Sequence, residues 1–161
     1  LKLIELSRFR ICECAYNLTT DYKHDQSNTI DALEKIEIFL EQYSNSEFYL
    51  EVVELKQQLR EKLAKKDYES ARLYMKLSEY KSALIYLNNL LDNYSDTTIS
   101  DDARIAIVFA YILDENYDLA TSFYNIQKES FNSIEKSKEA SSLLEATKDG
   151  VKITEYLRLF K

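Results

Sequence analysis

Proline is absent from this 161-residue sequence, and glycine occurs once, at Gly150. Tight turns and β-bulges depend on these two residues, so their scarcity makes an architecture of short antiparallel strands very improbable. No run of 18 apolar residues is present either, which argues against a membrane-spanning helix. What remains is an all-α chain of long helices joined by short polar links.

Cysteine and histidine are also scarce. Cys12 and Cys14 are the only cysteines, and residues two apart on a helix point about 200° away from each other. They cannot easily share a metal or form a disulfide, and we expect one to be buried and the other not. His24, the single histidine, lies in a polar segment beside Asp25, where an exposed or capping role is expected. The sequence predicts no catalytic residue, no cofactor and no metal site.

The charge balance narrows the choice of partners. Asp and Glu number 28 against 21 Lys and Arg, giving a net charge of −7 without a long basic block. Nucleic acid is therefore a poor partner, because phosphate binding needs a concentrated basic face. The acidic pair Asp101-Asp102 needs no catalytic role to explain it, because carboxylates at the start of a helix interact favourably with the partial positive charge there. An apolar share of 45% with 13 Tyr and 7 Phe supplies a core.

Helical spacing of apolar residues covers most of the chain. A polar stretch from Thr19 to Thr29 forms a loop, with Asn28 or Thr29 expected to cap the helix that follows. Seven helices are predicted, over residues 1–18, 29–43, 47–78, 80–94, 100–115, 117–131 and 133–160. Gly150 marks a kink or a close helix approach within the last of them.

A unit of two helices recurs along the chain. Ala32-Leu33 followed by a Tyr-Ser pair returns at Ala83-Leu84, and a weaker copy begins at Leu119-Ala120. The best unit runs from residue 64 to 97, and its length of about 34 residues is typical of tetratricopeptide repeats. Its register puts Ala71 and Ala83 where the two helices approach closely, with Tyr74 at the aromatic position.

Five segments resemble the BamD family, the tetratricopeptide lipoproteins of the bacterial β-barrel assembly machinery. They are HDQSNT at 24–29, FLEQYSNS at 39–46, LREKLAKKDYESARLY at 59–74, YKSAL at 80–84 and LLDNYSDT at 90–97. They cover about half of the chain in the family's order and spacing. Where the family's turns carry proline or glycine, this sequence has Ser44, Ser78 and Ser95. The part after residue 125 matches poorly.

The resemblance implies a non-catalytic scaffold at the periplasmic face of the outer membrane. Its partners would be a BamA-like barrel subunit, other proteins of the complex and unfolded outer-membrane proteins. Membrane attachment would come from a lipid anchor upstream of Leu1, since we expect the N-terminal part of the protein to lie outside this chain. The alternative is a periplasmic tetratricopeptide adaptor for cell-envelope or division proteins, similar to CpoB.

The fold expected from the repeats is a right-handed α-solenoid of about seven helices forming one domain, residues 1–161. Repeat helices would cover 1–131 and a capping helix 133–160, whose stripe Ile153, Tyr156, Leu157 and Phe160 would close the last repeat.

The concave side of such a stack is the predicted protein-binding site. On the repeat register the residues facing it are Lys65, Tyr68, Arg72, Met75 and Lys76, a set suited to a peptide with apolar anchors and a carboxylate. Tyr68 and Met75 equally suit the core. The basic cluster Arg60, Lys62, Lys65 and Lys66 is either a solvated helix face or a docking patch for an acidic partner.

Overall fold

The computed structural model describes residues 2–148, and within that range every regular element is a helix. The all-α, tetratricopeptide-like fold is confirmed. The seven α-helices are α1 (Lys2–Asn17), α2 (Ser27–Gln42), α3 (Tyr49–Lys76), α4 (Tyr80–Tyr94), α5 (Ser100–Leu113), α6 (Tyr117–Gln127) and α7 (Ile134–Lys148), with a 3-10 turn over Lys128–Ser130.

The chain divides into two compact units, Leu1–Lys66 and Asp67–Lys161, here called unit 1 and unit 2, and α3 contributes to both. The expectation of a single domain stays a prediction.

Unit 1 is built on aromatic packing between its helices. The ring of Phe9 stacks on that of Phe48 with centroids 4.4 Å apart, and it meets Phe39 at 6.5 Å in a tilted arrangement. Helical spacing brings the apolar side chains to one side of each helix. The fully buried members of this core are Phe9, Cys12, Ala15, Ala32, Ile36, Phe39, Val52 and Leu59.

Unit 2 is organised around α5, of whose 14 residues 11 are buried. A helix that is apolar on all sides has to be covered on all sides. Within the unit, α5 packs against α4, α6 and α7. Ala83 is 0% exposed and Ala71 is 1% exposed, so both small residues are buried where the register expected close helix approach, and Ala120 of the weaker copy is also 0% exposed.

The two helix pairs of unit 2 turn in the same way, 37 residues apart. Ser78 after α3 and Glu115 after α5 both have φ of 60°, in the left-handed region. The next amide reaches back to close the helix end: Glu79 N donates to the Tyr74 carbonyl and Asn116 N to the Tyr111 carbonyl, both at 2.9 Å. This is the Schellman arrangement, in which a residue with left-handed backbone turns the chain so that the N–H group after it can donate to a carbonyl in the last turn of the helix.

The predicted helix bounds agree closely with those observed in unit 2 as far as α5. The bounds of α4 agree residue for residue, whereas α6 ends at Gln127 instead of Phe131 because the 3-10 turn follows it. In unit 1, α2 begins at Ser27, two residues earlier than expected, and Gln26 at its N-cap makes no side-chain capping bond. The predictions for Gly150 and for the stripe from Ile153 to Phe160 concern residues outside the described range.

Candidate protein-binding surfaces

The five residues predicted to bind a partner fall into different environments. Lys65 belongs to unit 1 and is exposed, while the other four belong to unit 2. Lys76 is exposed, Tyr68 and Arg72 are half-buried, and Met75 is only 6% exposed. The burial of Met75 places its side chain in the core, the alternative that the sequence left open. The binding role of the others stays a prediction.

Tyr68 lies among charged groups contributed by three helices of unit 2. Burial, together with the nearby carboxylate of Asp102 on α5, raises the pKa of Tyr68 to about 12. Arg72 acts in the opposite direction, and Glu69 and Glu139 of α7 act with Asp102. The phenol is therefore neutral at physiological pH, a hydrogen-bonding group on an otherwise charged part of the unit.

Arg72 is held by its own helix. Its Nη1 atom donates to both carboxylate oxygens of Glu69, at 2.9 and 3.1 Å. With its charge balanced in this way, Arg72 is a weaker attractant for a carboxylate than the sequence suggested. Lys76, one turn further along α3, is the exposed cation of the set in unit 2.

The segment between α1 and α2, residues 18–26, is held from inside by Gln26. This side chain is 5% exposed, and its Nε2 donates to the carbonyls of Asp21 and His24 at 2.9 and 3.1 Å. Its Oε1 accepts a bond from the hydroxyl of Thr29 at 2.8 Å. Glutamine is a common surface residue, so nothing in the sequence marked Gln26 as the centre of the loop.

Two lysines of α3 bind this loop. Lys62 Nζ donates to Thr19 Oγ1 at 2.6 Å and Lys66 Nζ to the His24 carbonyl at 3.0 Å. Burial lowers the pKa of Lys62, which the charge of Asp21 partly opposes. Half of the predicted basic cluster therefore has a role that was not foreseen, attaching the loop to α3 within unit 1. His24 itself is exposed, as predicted.

Tyr22 of the same loop lies close to two lysines, its neighbour Lys23 and Lys65 of α3. The ammonium of Lys65 is 4.7 Å from the centroid of the Tyr22 ring, and that of Lys23 is 5.7 Å from it. Both distances are within the range of cation–π attraction. Lys23 and Lys65 are exposed and Tyr22 is half-buried.

The two cysteines differ as expected. Cys12 is buried in the unit 1 core and Cys14 is exposed. Burial raises the pKa of the Cys12 thiol. Cys14 lies beside a depression of about 300 Å³ between α1 and α2, together with Ile11 and Leu18, which are 43% and 69% exposed.

A buried ion pair in unit 2 was missed by sequence reasoning. Arg104 and Asp101 are 5% and 3% exposed, and Arg104 Nη1 donates to Asp101 Oδ1 at 3.0 Å. The carboxylate of Asp101 also accepts the backbone N–H groups of Asn132 and Ser133, at 3.1 and 2.9 Å, just before α7 begins. Asp101 thus fixes the segment that leads into α7, and the first turn of α7 is itself capped by Ser133, whose Oγ accepts from Lys136 N at 3.4 Å. An arginine inside the apolar run of α5 was the available signal, because such a residue needs a buried partner.

No helix among residues 2–148 is both long and apolar enough to cross a membrane. Over the same residues, no group of three or more His, Cys, Asp or Glu side chains is placed to hold a metal ion.

Comparison with known proteins gives one family. The sequence model of the YfiO family, which is described as outer membrane lipoprotein, matches residues 8–119. The match includes α2 to α5 complete, with the loop of Gln26 and the ion pair of Asp101 and Arg104. No curated protein sequence matches the chain.

Proposed function

The chain belongs to the YfiO family of outer membrane lipoproteins, and on that premise we propose that it is a BamD-like scaffold for the assembly of β-barrel proteins. The family match over residues 8–119 is the observation that carries this proposal. In this role the protein catalyses no reaction and binds by non-covalent contact. Its place would be the periplasmic face of the outer membrane, reached through a lipid anchor.

The proposed partners are a BamA-like barrel subunit, other assembly proteins and unfolded outer-membrane proteins. The architecture suits this work, since rigid helix pairs present extended surfaces at low entropic cost. In unit 2 the surface for such a partner includes the neutral phenol of Tyr68 and the exposed ammonium of Lys76. A hydrogen-bonding ring and a cation on the same helix suit a peptide or domain surface that carries both an apolar group and a carboxylate.

The test is binding of the full-length protein to the soluble periplasmic domains of the barrel subunit from the same organism, measured by calorimetry. We expect Lys76→Glu to weaken binding about tenfold, because the substitution replaces attraction by repulsion at a contact. Lys138→Glu on α7 is the matched control, an exposed lysine of the same unit, and should leave the affinity unchanged. If the unaltered protein does not bind the barrel subunit at all, the proposal is wrong.

A further inference from the structure

Unit 1 carries a small basic surface in an acidic protein. Four lysines lie in or against the loop over residues 18–26, which has two carboxylates of its own, Asp21 and Asp25. The lysines are Lys23, Lys62, Lys65 and Lys66. The four are not equivalent, because the side chains of two of them are hydrogen-bonded to the loop and those of the other two are not.

Lys62 and Lys66 are the paired ones. Each donates a hydrogen bond to the loop. Each also interacts electrostatically with one carboxylate of the loop, Lys62 with Asp21 and Lys66 with Asp25. The carboxylates are also engaged by the backbone of the loop, since Asp21 accepts from Lys23 N at 3.1 Å and Asp25 from Ser27 N at 2.9 Å. Neither acid is therefore well placed to neutralise a further lysine.

Lys23 and Lys65 are the other two. Neither forms an ion pair with another described residue, and both ammonium groups lie on the ring of Tyr22. An ammonium held on a ring still has N–H groups directed to solvent. Two positive charges on one aromatic platform are thus available to an anion.

The platform is held in place before any ligand arrives. The buried side chain of Gln26 ties the loop to itself, and the hydroxyl of Thr20 donates to the Asp25 carbonyl at 3.0 Å. Lys62 and Lys66 then fix the loop on α3. A site of this kind orders little on binding, and preorganisation of this sort favours affinity.

We propose that Tyr22, Lys23 and Lys65 form a docking site for an acidic segment of another protein, whose Asp or Glu carboxylates pair with the two ammonium groups. The net charge of −7 disfavours extended polyanions and anionic membrane surfaces, which would be repelled by the rest of the chain. A short segment with two or three carboxylates reaches the platform alone. This site belongs to unit 1 and Lys76 to unit 2, and the existence of the site does not depend on the proposed role in barrel assembly.

The test uses the whole chain and a fluorescein-labelled peptide of alternating Glu and Ser, with fluorescence anisotropy as the readout. We expect Lys23→Ala and Lys65→Ala each to raise the dissociation constant about threefold and the double variant about tenfold, because exposed ion pairs are individually weak. Raising the salt from 50 to 500 mM should weaken the binding in the same way, since the charges are exposed to solvent.

Lys138→Ala is the matched control, an exposed lysine outside unit 1, and should not alter the affinity. Tyr22→Leu, checked for folding by circular dichroism, should weaken binding even though no charge is removed, because the ring positions both ammonium groups. The proposal is overturned if the peptide with Gln in place of Glu binds equally well, or if Lys138→Ala weakens binding as much as Lys65→Ala. Binding to phosphatidylglycerol vesicles without binding to the Glu peptide would assign the site to a lipid surface and overturn it as well.

Discussion

The two units close their helix pairs by different means. In unit 2 each pair turns over three residues, Leu77–Glu79 and Asp114–Asn116, and the backbone itself satisfies the helix ends. In unit 1 the connection between α1 and α2 takes nine residues, 18–26, and side chains hold it together from Gln26 and from α3. A backbone turn tolerates many sequences, whereas a loop held by side chains depends on a few residues in particular.

Unit 2 nevertheless also depends on side chains, at the ion pair of Asp101 and Arg104. Substitution of Asp101 by Ala leaves Arg104 buried without a carboxylate and removes the acceptor of the Asn132 and Ser133 N–H groups, so we expect a loss of about 3–5 kcal/mol in the free energy of unfolding. Urea denaturation measures this loss. Asp102→Ala is the control, because Asp102 forms an exposed ion pair with Lys136, whose side chain is 34% exposed and that of Asp102 41%. This substitution should cost about 1 kcal/mol or less. Equal losses in the two variants would contradict a special role for the buried pair.

The loop of unit 1 should be the next most sensitive site. Gln26→Ala removes three hydrogen bonds from a buried position, and we expect a loss of about 2–3 kcal/mol. Asn28→Ala removes one exposed bond, to the Leu18 carbonyl, and should cost about 0.5 kcal/mol. Amide hydrogen exchange localises the effect: faster exchange in unit 2 than in the loop would show that the dependence on Gln26 is not local.

Glycine in place of Ser78 should make a turn of unit 2 more stable. Ser78 is in the left-handed region, which costs a residue with a Cβ about 1–2 kcal/mol, so Ser78→Gly should stabilise the protein by about 0.5–1 kcal/mol. Ser95→Gly is the matched control, since Ser95 has φ of −63°, where glycine adds only chain entropy to the unfolded state. Thermal unfolding of both variants gives the comparison. A gain in both, or in neither, would mean that the left-handed angle of Ser78 carries no strain.

The smallest effect at neutral pH is expected at Tyr68, where the response appears only in alkali. Its folded-state pKa of about 12 lies above the ordinary value of 10.0, so the unfolded chain ionises first. The stability linked to Tyr68 is complete below pH 10 and is lost as the pH rises to 12. Tyr68→Phe should therefore reduce the loss of stability between pH 10 and 12, followed by urea denaturation at each pH. Absorbance at 295 nm should show one late-titrating tyrosine fewer; an unchanged alkaline loss would argue that Tyr68 is not buried.

Local signals in the sequence were enough for much of unit 2. The helix bounds of α4 were predicted to the residue because Ser95 and Asp96 follow an unbroken apolar pattern. The repeat register also placed Ala71 and Ala83 correctly at buried positions. The resemblance gave Ser44, Ser78 and Ser95 as the residues that replace proline or glycine in the family's turns, and of these three Ser78 has the left-handed backbone that favours glycine.

The surfaces were harder to predict because burial depends on residues far apart in sequence. A repeat register gives the side of α3 on which Met75 lies, but not that its neighbours bury it. The sequence does not distinguish Lys62 from Lys65, since both belong to the basic cluster of α3. In the structure Lys62 is hydrogen-bonded to Thr19, whereas Lys65 lies on the ring of Tyr22. These differences arise from the loop, whose conformation depends on the buried amide of Gln26.

The three-residue turns of unit 2 also bear on how fast the chain regains its fold. Each turn joins helices that are adjacent in sequence, so the pairs can form without closing a long loop. Chains dominated by such local contacts refold in microseconds to milliseconds. The sequence contains no proline, so no peptide bond has to isomerise over tens of seconds before the helices pair. Refolding from denaturant should therefore show no slow proline-limited phase.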